Sequence, residues 1–230
     1  MTNTTPKIFC AIDMADMDRI LNVIPGIIES GCGLKIGLEF FNAHGPDGVR
    51  RIIDEFENPP IFLDMKYHDI PNTVAGAVRE ASKLGVTYIN MHASGGSEMM
   101  KAAKDACEPN TKLLGVTVLT SLDDDNLISV GQLASAKDQV KRLAELTQLS
   151  GLDGVVCSSH EIKMLRQDIG QEFILMVPGI RPAGCAQNDQ KRVMTPQDAM
   201  EAGATHLVIG RPITQADDPA KAASDILSTL

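Results

Sequence analysis

Residues 60–85, PIFLDMKYHDIPNTVAGAVREASKLG, contain one complete strand-then-helix unit. The first part, Pro60 to Lys66, is a short apolar run of the kind that forms a buried strand in a parallel sheet. The second part carries apolar residues at helical spacing and ends at Gly85, the position where a left-handed residue commonly closes a helix. Another apolar run begins at Tyr88. This order of strand, helix and strand predicts parallel pairing.

The same unit recurs along the whole chain, and glycines precede many of the later runs. The apolar runs are Ile8 to Asp13, Gly33 to Gly37, Pro60 to Lys66, Tyr88 to Ala93, Lys112 to Thr120, Gly154 to Ser159, Phe173 to Ile180 and His206 to Ile213. Eight units of about 29 residues each favour a (β/α)₈ barrel, an α/β fold, as one domain over residues 1–230. The alternative is a doubly wound open sheet, but the Gly-x-Gly-x-x-Gly turn typical of that fold is missing.

Composition excludes several classes of protein. Hydrophobic residues make up 43% of the chain and charged residues 22%, values typical of globular domains, and no apolar run approaches bilayer length. The net charge of -9 provides no positive field for nucleic acid or anionic lipid, so we expect neither partner. Five scattered cysteines and a polar start without a signal peptide predict a reduced, cytoplasmic protein. The acidic run Asp123 to Asp125 is predicted to form a solvated surface turn.

Charged residues interrupt the apolar runs where a barrel places its chemistry, at the carboxyl ends of strands. Strand alternation puts Asp64 and Lys66 on the same face as Phe62. Lys35 lies within the second run, Asp13 ends the first, and Asp69 follows the third. Because buried charges need partners of opposite sign, we expect an alternating network of lysines and carboxylates in the mouth of the barrel. Such a network could instead be a structural plug of ion pairs.

The carboxylates beside Lys66 indicate which chemistry this lysine could perform. A Schiff-base lysine needs a lowered pKa, whereas flanking carboxylates favour the charged ammonium. Lys66 is therefore a candidate proton donor to a carbanion, with no need for an electron-sink cofactor. His68 and His92 could join Asp64 around a metal ion, but ordinary hydrogen-bonded histidines are the favoured interpretation. We predict no metal and no cofactor.

The last two strands indicate a phosphate site. Gly179 lies at the end of the seventh run and Arg181 directly follows it, and Gly210 and Arg211 lie in the eighth. Barrels commonly bind phosphate after these strands, where glycine admits a close approach of the backbone and arginine supplies a fork of N–H donors. A phosphorylated substrate is the favoured interpretation of the pair.

The stretch FLDMKYHDIPNTV, residues 62–74, resembles the signature of the orotidine 5′-monophosphate decarboxylase family. The resemblance spans nearly the whole chain and extends to LKIG at 34–37, TVLTS at 117–121, VPGIRP at 177–182, DQKR at 189–192 and GRPI at 210–213. The sequence departs from the family pattern at Asn188, where glycine is common before the Asp-Gln pair of DQKR. The shorter Asp-x-Lys-x-x-Asp core also occurs in magnesium-dependent sugar-phosphate decarboxylases and aldolases, which remain the alternative enzyme class. A binding barrel without catalytic activity is a third possibility, which the intact Lys66 does not favour.

The resemblance implies a role for each matching residue. The implied catalytic array is Lys66, Asp64, Lys35 and Asp69, with Lys66 protonating carbon 6 of the pyrimidine. The implied substrate contacts are Asp13 and Lys35 to ribose, Thr120 and Ser121 to the base, and Gln190, Arg181, Gly210 and Arg211 to the phosphate side. Asp69 and Thr73 are implied to reach the site of a neighbouring subunit, which makes the expected assembly a homodimer.

Overall fold

A computed structural model describes residues 5–132, 135–182 and 194–230 of the chain. Eight parallel strands form one closed barrel in chain order, and β8 pairs with β1 to complete it. The strands are β1 (Ile8–Ile12), β2 (Gly33–Gly37), β3 (Ile61–Tyr67), β4 (Tyr88–His92), β5 (Lys112–Val116), β6 (Gly154–Val156), β7 (Ile174–Pro178) and β8 (His206–Ile209). The predicted (β/α)₈ fold is confirmed.

Helices connect the strands around the outside of the barrel. They are α1 (Met17–Glu29), α2 (Leu38–Glu55), α3 (Pro71–Ser82), α4 (Ser97–Ala106), α5 (Asp124–Ser129), α6 (Ala136–Leu149), α7 (Ile162–Ile169), α8 (Pro196–Glu201), α9 (Arg211–Thr214) and α10 (Pro219–Leu227), with short 3₁₀ turns at Ala93–Gly95 and Ser159–Glu161. No helix among the described residues is long and apolar enough to cross a bilayer.

Glycines close the helices where the sequence predicts them. Gly31, Gly85, Gly151, Gly170 and Gly203 all have φ between +79° and +112°. A side chain strains this left-handed conformation, whereas glycine adopts it freely. The glycines therefore let the chain reverse from each helix into the next strand.

Several local expectations from the sequence are wrong. The fifth strand ends at Val116 rather than Thr120, the sixth at Val156 rather than Ser159, and the eighth at Ile209 rather than Ile213, since Arg211 begins α9. The acidic run is not a plain turn, since Asp123 caps α5 by accepting a hydrogen bond from the Asn126 backbone N–H. Carboxylates are favourable at a helix N-terminus, where the backbone N–H groups lack other partners.

The inside of the barrel is filled by one apolar cluster. Its members are Phe9, Ala11, Phe62, Tyr88, Leu114, Ile174, Met176 and Val208. The ring of Phe9 packs edge-to-face against the rings of Phe62 and Tyr88, with centroid distances of 6.4 Å and 5.5 Å. A second, larger cluster lies between the strands and the surrounding helices. The filled interior forms a floor on which the charged mouth rests.

A hydrogen-bonded histidine lies at the lower edge of this floor. His206 Nδ1 is 2.8 Å from the Pro6 carbonyl oxygen, and its Nε2 is 2.9 Å from the Tyr88 hydroxyl. Burial lowers the pKa of His206, which keeps the ring neutral. A neutral ring that donates from Nδ1 to Pro6 and accepts at Nε2 from Tyr88 satisfies both contacts.

Leu114 tests how much the interior cluster stabilises the barrel. Leu114 is fully buried in this cluster, whereas Leu149, at the end of α6, is 80% exposed. We expect Leu114→Ala to lower the free energy of unfolding by about 2–5 kcal/mol, because it removes buried methyl groups and leaves a cavity. The same substitution at Leu149 should change it by less than about 0.5 kcal/mol. Denaturant titration of both variants measures the difference, and equal losses would contradict a packed interior.

Candidate active site

Strand β3 carries two charged residues into the mouth of the barrel. Phe62 belongs to the interior cluster, while Leu63, Met65 and Tyr67 pack toward the helices. The alternation of side chains along a strand therefore points Asp64 and Lys66 inward, above Phe62. Asp64 also pairs in register with Gly37 of β2, which brings the second strand's charged residue close.

Four charged side chains meet at this point. Lys66 Nζ lies 2.5 Å from Asp64 Oδ1, and Lys35 Nζ lies 3.8 Å from Asp64 Oδ2. Lys35 also donates a hydrogen bond to Asp13 Oδ1. The side chains of Lys35 and Asp64 are only 8% and 15% exposed. The structure thus brings together Asp13, Lys35, Asp64 and Lys66 in a chain of alternating charge.

The electrostatic state of Asp64 follows from its neighbours. Burial raises the pKa of the Asp64 carboxyl, but Lys66 and Lys35, together with hydrogen bonds from Lys66 and Asn90, outweigh it and hold the pKa below its usual value. Asp64 is therefore ionised at neutral pH. Because the folded pKa is the lower one, the stabilisation from this group is present at neutral pH and is lost as the pH falls below the ordinary aspartate range.

Gly37 leaves the space that this charge cluster needs. A Cβ atom at Gly37 would lie 3.0 Å from Lys35 Nζ and 3.3 Å from Asp13 Oδ1. Both distances are tighter than ordinary contacts of a carbon atom. The absent side chain therefore allows Lys35 to reach Asp13 and Asp64 together.

The backbone of Lys66 is unusual. Its φ is +51°, in the left-handed region that a side chain adopts at a cost of about 1–3 kcal/mol. The pairing of β3 with β4 shifts register between Leu63 and Tyr67, which releases Lys66 from the regular ladder. The Lys66 N–H instead donates to Asn90 Oδ1, over 2.8 Å.

Asn90 is the polar residue that the sequence interpretation missed. It is fully buried in β4, and its Nδ2 donates to Asp64 Oδ1 over 2.7 Å. The available signal was an amide in the middle of the otherwise apolar run Tyr88 to Met91. A buried amide needs hydrogen-bond partners, and the mouth of the barrel supplies them.

Two of the residues predicted to bind phosphate, Gly210 and Arg211, lie near one end of the charge network. Gly210 and Arg211 line a cleft of about 90 Å³ together with Asp13 and Ala11 of β1. Arg181 is buried, and its Nη1 donates to the Ile180 carbonyl over 2.9 Å. Gln190 and Asn188 lie outside the described residues. The cleft therefore has Asp13 of the charge network on its lining together with Gly210 and Arg211.

The other predicted site residues are exposed on loops and helix starts. Thr120 and Ser121 lie in the segment after β5. Asp69 and Thr73 lie at the start of α3, where Asp69 Oδ1 accepts from the Ile70 backbone N–H over 2.6 Å. Within the described part of the chain, Asp69 forms no ion pair with Lys35 or Lys66. Its side chain lies outside the network.

Two histidines flank the network beside a cavity of about 170 Å³. The rings of His68 and His92 are 5.5 Å apart, and burial lowers the pKa of His92, as do the nearby His68 and Lys66. Among the residues that the structure describes, no group of three or more histidine, cysteine or acidic side chains is placed to hold a metal ion.

Comparison with known proteins places the chain in a family. The family model described as "Orotidine 5'-phosphate decarboxylase / HUMPS family" matches residues 6–226. The chain belongs to this family. A curated orotidine 5′-phosphate decarboxylase from Idiomarina loihiensis is 50% identical over 228 residues, 98% of each chain. Its counterpart from Pectobacterium atrosepticum is 50% identical over 97% of this chain and 91% of its own.

A solved structure of the orotidine 5′-phosphate decarboxylase from Lactobacillus acidophilus extends the comparison to the fold. It aligns with a TM-score of 0.86 at 36% identity, over 98% of this chain and 99% of its own. The family resemblance predicted from the sequence is confirmed. The matched range includes all four residues of the charge network, from Asp13 to Lys66.

The left-handed backbone of Lys66 leads to a stability prediction. Lys66→Gly and Lys66→Ala both remove the ammonium, so they differ only in the backbone preference. We expect the glycine variant to be more stable by about 1 kcal/mol, since glycine accepts positive φ without strain. At Lys83, where φ is -61°, we expect the alanine variant to be the more stable one, by about 0.5–1 kcal/mol. Thermal or urea unfolding of the four variants measures both differences, and a less stable glycine variant at position 66 would contradict strain there.

Proposed function

We propose that this chain converts orotidine 5′-monophosphate to uridine 5′-monophosphate and CO₂, without a cofactor, in pyrimidine biosynthesis. The curated relatives that are about half identical over nearly the whole chain are named for this reaction. The observation that carries the proposal for the chemistry is the contact of 2.5 Å between Lys66 Nζ and Asp64 Oδ1 in the mouth of the barrel.

The reaction requires a cation beside the reacting carbon. When the bond between carbon 6 and the carboxylate breaks, CO₂ leaves and the electron pair remains in an orbital in the plane of the pyrimidine ring. The ring's π system does not delocalise that pair, so an external group must stabilise it. The Lys66 ammonium does so electrostatically and then transfers its proton to carbon 6. Solvent reprotonates the neutral lysine after release of the product.

Asp64 is proposed to act in two ways. Its ionised carboxylate pairs with Lys66 Nζ over 2.5 Å and so orients the lysine toward the reacting carbon. The same carboxylate lies against the departing substrate carboxylate, where repulsion between like charges raises the energy of the bound substrate. Binding of the distant phosphate supplies the energy for this repulsion.

The remaining predicted contacts orient the nucleotide. Asp13 and Lys35 are proposed to hold the ribose hydroxyls, and Thr120 and Ser121 the pyrimidine. Phosphate is proposed to bind Arg181, Gly210 and Arg211, with Gln190 bridging base and phosphate. The cleft shared by Asp13, Gly210 and Arg211 supports this arrangement, because it brings the proposed ribose ligand beside two proposed phosphate ligands.

Lys66→Ala tests the proton donor. We expect turnover to fall by about 10²–10⁴-fold or more, because the general acid is lost. Affinity for uridine 5′-monophosphate should stay within about threefold, well under the 1.4 kcal/mol of a tenfold change. Loss of orotate-type ultraviolet absorbance measures turnover, and Lys83→Ala on the surface of the chain is the matched control. Near-normal turnover without Lys66 would refute the assignment.

The same assay distinguishes cofactor-free decarboxylation from the magnesium-dependent alternative. The names of the curated relatives do not favour a sugar-phosphate decarboxylase or aldolase. We expect EDTA to leave the rate of the parent enzyme unchanged. Abolition by the chelator, with recovery on addition of Mg²⁺, would support the alternative.

We propose that the working form is a cytoplasmic homodimer in which Asp69 and Thr73 complete the partner's site. Both side chains are exposed, Asp69 just before α3 and Thr73 in its first turn, and the neighbouring apolar Ile70 is 67% exposed. A two-fold interface over this face would bury Ile70 and carry Asp69 toward the lysines of the second subunit. The four cysteines among the described residues are free and mostly buried, which suits a reducing compartment.

Mixing two inactive variants tests the shared site. Lys66→Ala and Asp69→Ala each remove one residue of the proposed array. If Asp69 acts across the interface, a mixed dimer contains one site with both residues intact, so random reassembly should restore about a quarter of the parent activity. The measurement is turnover after co-refolding in equal amounts, with each variant refolded alone as the control. Absence of recovery, with mixed dimers demonstrated, would place Asp69 in its own subunit's site.

A further inference from the structure

Asn90 lies at the boundary between the apolar floor and the charged mouth. Strand alternation places Tyr88, Asn90 and His92 on the inward face of β4, just as Phe62, Asp64 and Lys66 face inward on β3. At the lower level the rings of Phe62 and Tyr88 touch, with centroids 6.4 Å apart. At the next level up, Asn90 meets Asp64. The amide is therefore the first polar group above the floor on its strand.

The two ends of the Asn90 amide have different partners. Oδ1 accepts from the backbone N–H of Lys66 over 2.8 Å, and Nδ2 donates to Asp64 Oδ1 over 2.7 Å. A backbone N–H can only donate and an ionised carboxylate can only accept, so this orientation of the amide is the one that satisfies both. Asn90 is fully buried, so water does not compete for either contact.

We propose that Asn90 is a positioning residue for decarboxylation, which holds the backbone of Lys66 and the carboxylate of Asp64 in one fixed relation. The proposal rests on the proposed role of Lys66 as proton donor. Asn90 itself does not touch the reacting carbon. It acts through the two residues that flank that carbon.

The local geometry explains why such a group is needed. The register shift after Leu63 removes Lys66 from the regular ladder, and φ of +51° is a conformation that lysine does not prefer. The hydrogen bond to Asn90 is the contact that the structure shows for the Lys66 N–H. Asp64 Oδ1 is shared between Lys66 Nζ and Asn90 Nδ2, so the amide also restrains the carboxylate against rotation. Errors of about 1 Å in the placement of reacting groups can lower rates about 10²-fold.

The surroundings of Asn90 define what a new charge there would meet. Asp64 and Lys66 face it from β3, and Lys35 of β2 lies behind Asp64. His92 follows on the same strand and interacts electrostatically with both Lys66 and Asp64. On the other side, the register partner in β5 is the apolar Leu114.

Asn90→Leu removes both hydrogen bonds at similar side-chain volume. We expect kcat to fall about 10²-fold. The dissociation constant of uridine 5′-monophosphate should stay within about threefold, because no proposed ligand of the nucleotide is changed. Tyr88→Phe is the matched control, since it removes one hydrogen bond from a buried residue of the same strand at the far end of the barrel. It should reduce thermal stability and leave kcat unchanged.

Asn90→Asp provides a second, independent measurement. The introduced carboxyl keeps an acceptor for the Lys66 N–H, but when ionised it loses the donor and faces Asp64. When protonated it can donate and accept as the amide does. Lys66 and Lys35 oppose protonation of the new carboxyl, but both are already paired with Asp64 or Asp13. Burial and the charge of Asp64 therefore favour the protonated form, so kcat relative to the parent enzyme should rise as the pH falls from about 8 to about 6. A residue with only a packing role would show no such recovery.

The outcomes separate the two proposals. Near-parent kcat in Asn90→Leu, with Lys66→Ala inactive, would overturn the role of Asn90 and leave that of Lys66 intact. Equal losses of kcat and nucleotide affinity, or a similar kcat loss in Tyr88→Phe, would reduce Asn90 to a structural residue. If Asn90→Leu does not fold, a pH-independent loss in Asn90→Asp overturns the proposal and acid recovery supports it. Turnover in Lys66→Ala would instead be a failure of the proposed function.

Discussion

The arrangement of the mouth depends on one buried carboxylate. Asp64 is largely removed from water, and a charge in that position is stable only if its partners replace the lost hydration. Lys66, Lys35 and Asn90 do so from three different directions on three neighbouring strands. Removing any one of them leaves the others with an uncompensated group. The polar character of all three residues therefore follows from the charge of Asp64, and the small size of Gly37 follows from the room that Lys35 requires.

The parallel barrel is what makes such convergence possible. Because all eight strands run the same way, their carboxyl ends meet at one end of the barrel, and register partners such as Phe62 and Tyr88 both face the interior. Strands β3 and β4 illustrate the consequence, since the contact of Phe62 with Tyr88 is followed one level higher by that of Asp64 with Asn90. The aromatic layer excludes water from below. It thereby strengthens every electrostatic interaction in the layer above it.

Local patterns in the sequence predicted the barrel and the charged core of the site. The repeated apolar runs and the left-handed glycines act within single units, so each could be recognised without knowledge of the rest. Asp64 and Lys66 were found because charges are conspicuous in an apolar strand. Asn90 was missed because a neutral amide is less conspicuous and its importance depends on a register shift in the neighbouring strand. The capping role of Asp123 was missed because helix α5 has only six residues, which are too few to show helical periodicity in the sequence. Gln190 lies outside the described residues, and the partner that Asp69 is proposed to meet belongs to another subunit.

Strain and charge are concentrated at the same residue. Lys66 combines a left-handed backbone with a half-buried ammonium, and each feature alone disfavours the folded state. Both are offset within one small cluster, because Asn90 binds the backbone N–H and Asp64 binds the side chain. Glycine at this position would relieve the strain but would also remove the proposed proton donor. Stability and activity are thus opposed at position 66, and the surrounding hydrogen bonds serve to keep a costly conformation populated. The same reasoning explains why Asn90, which meets no solvent, is polar at all.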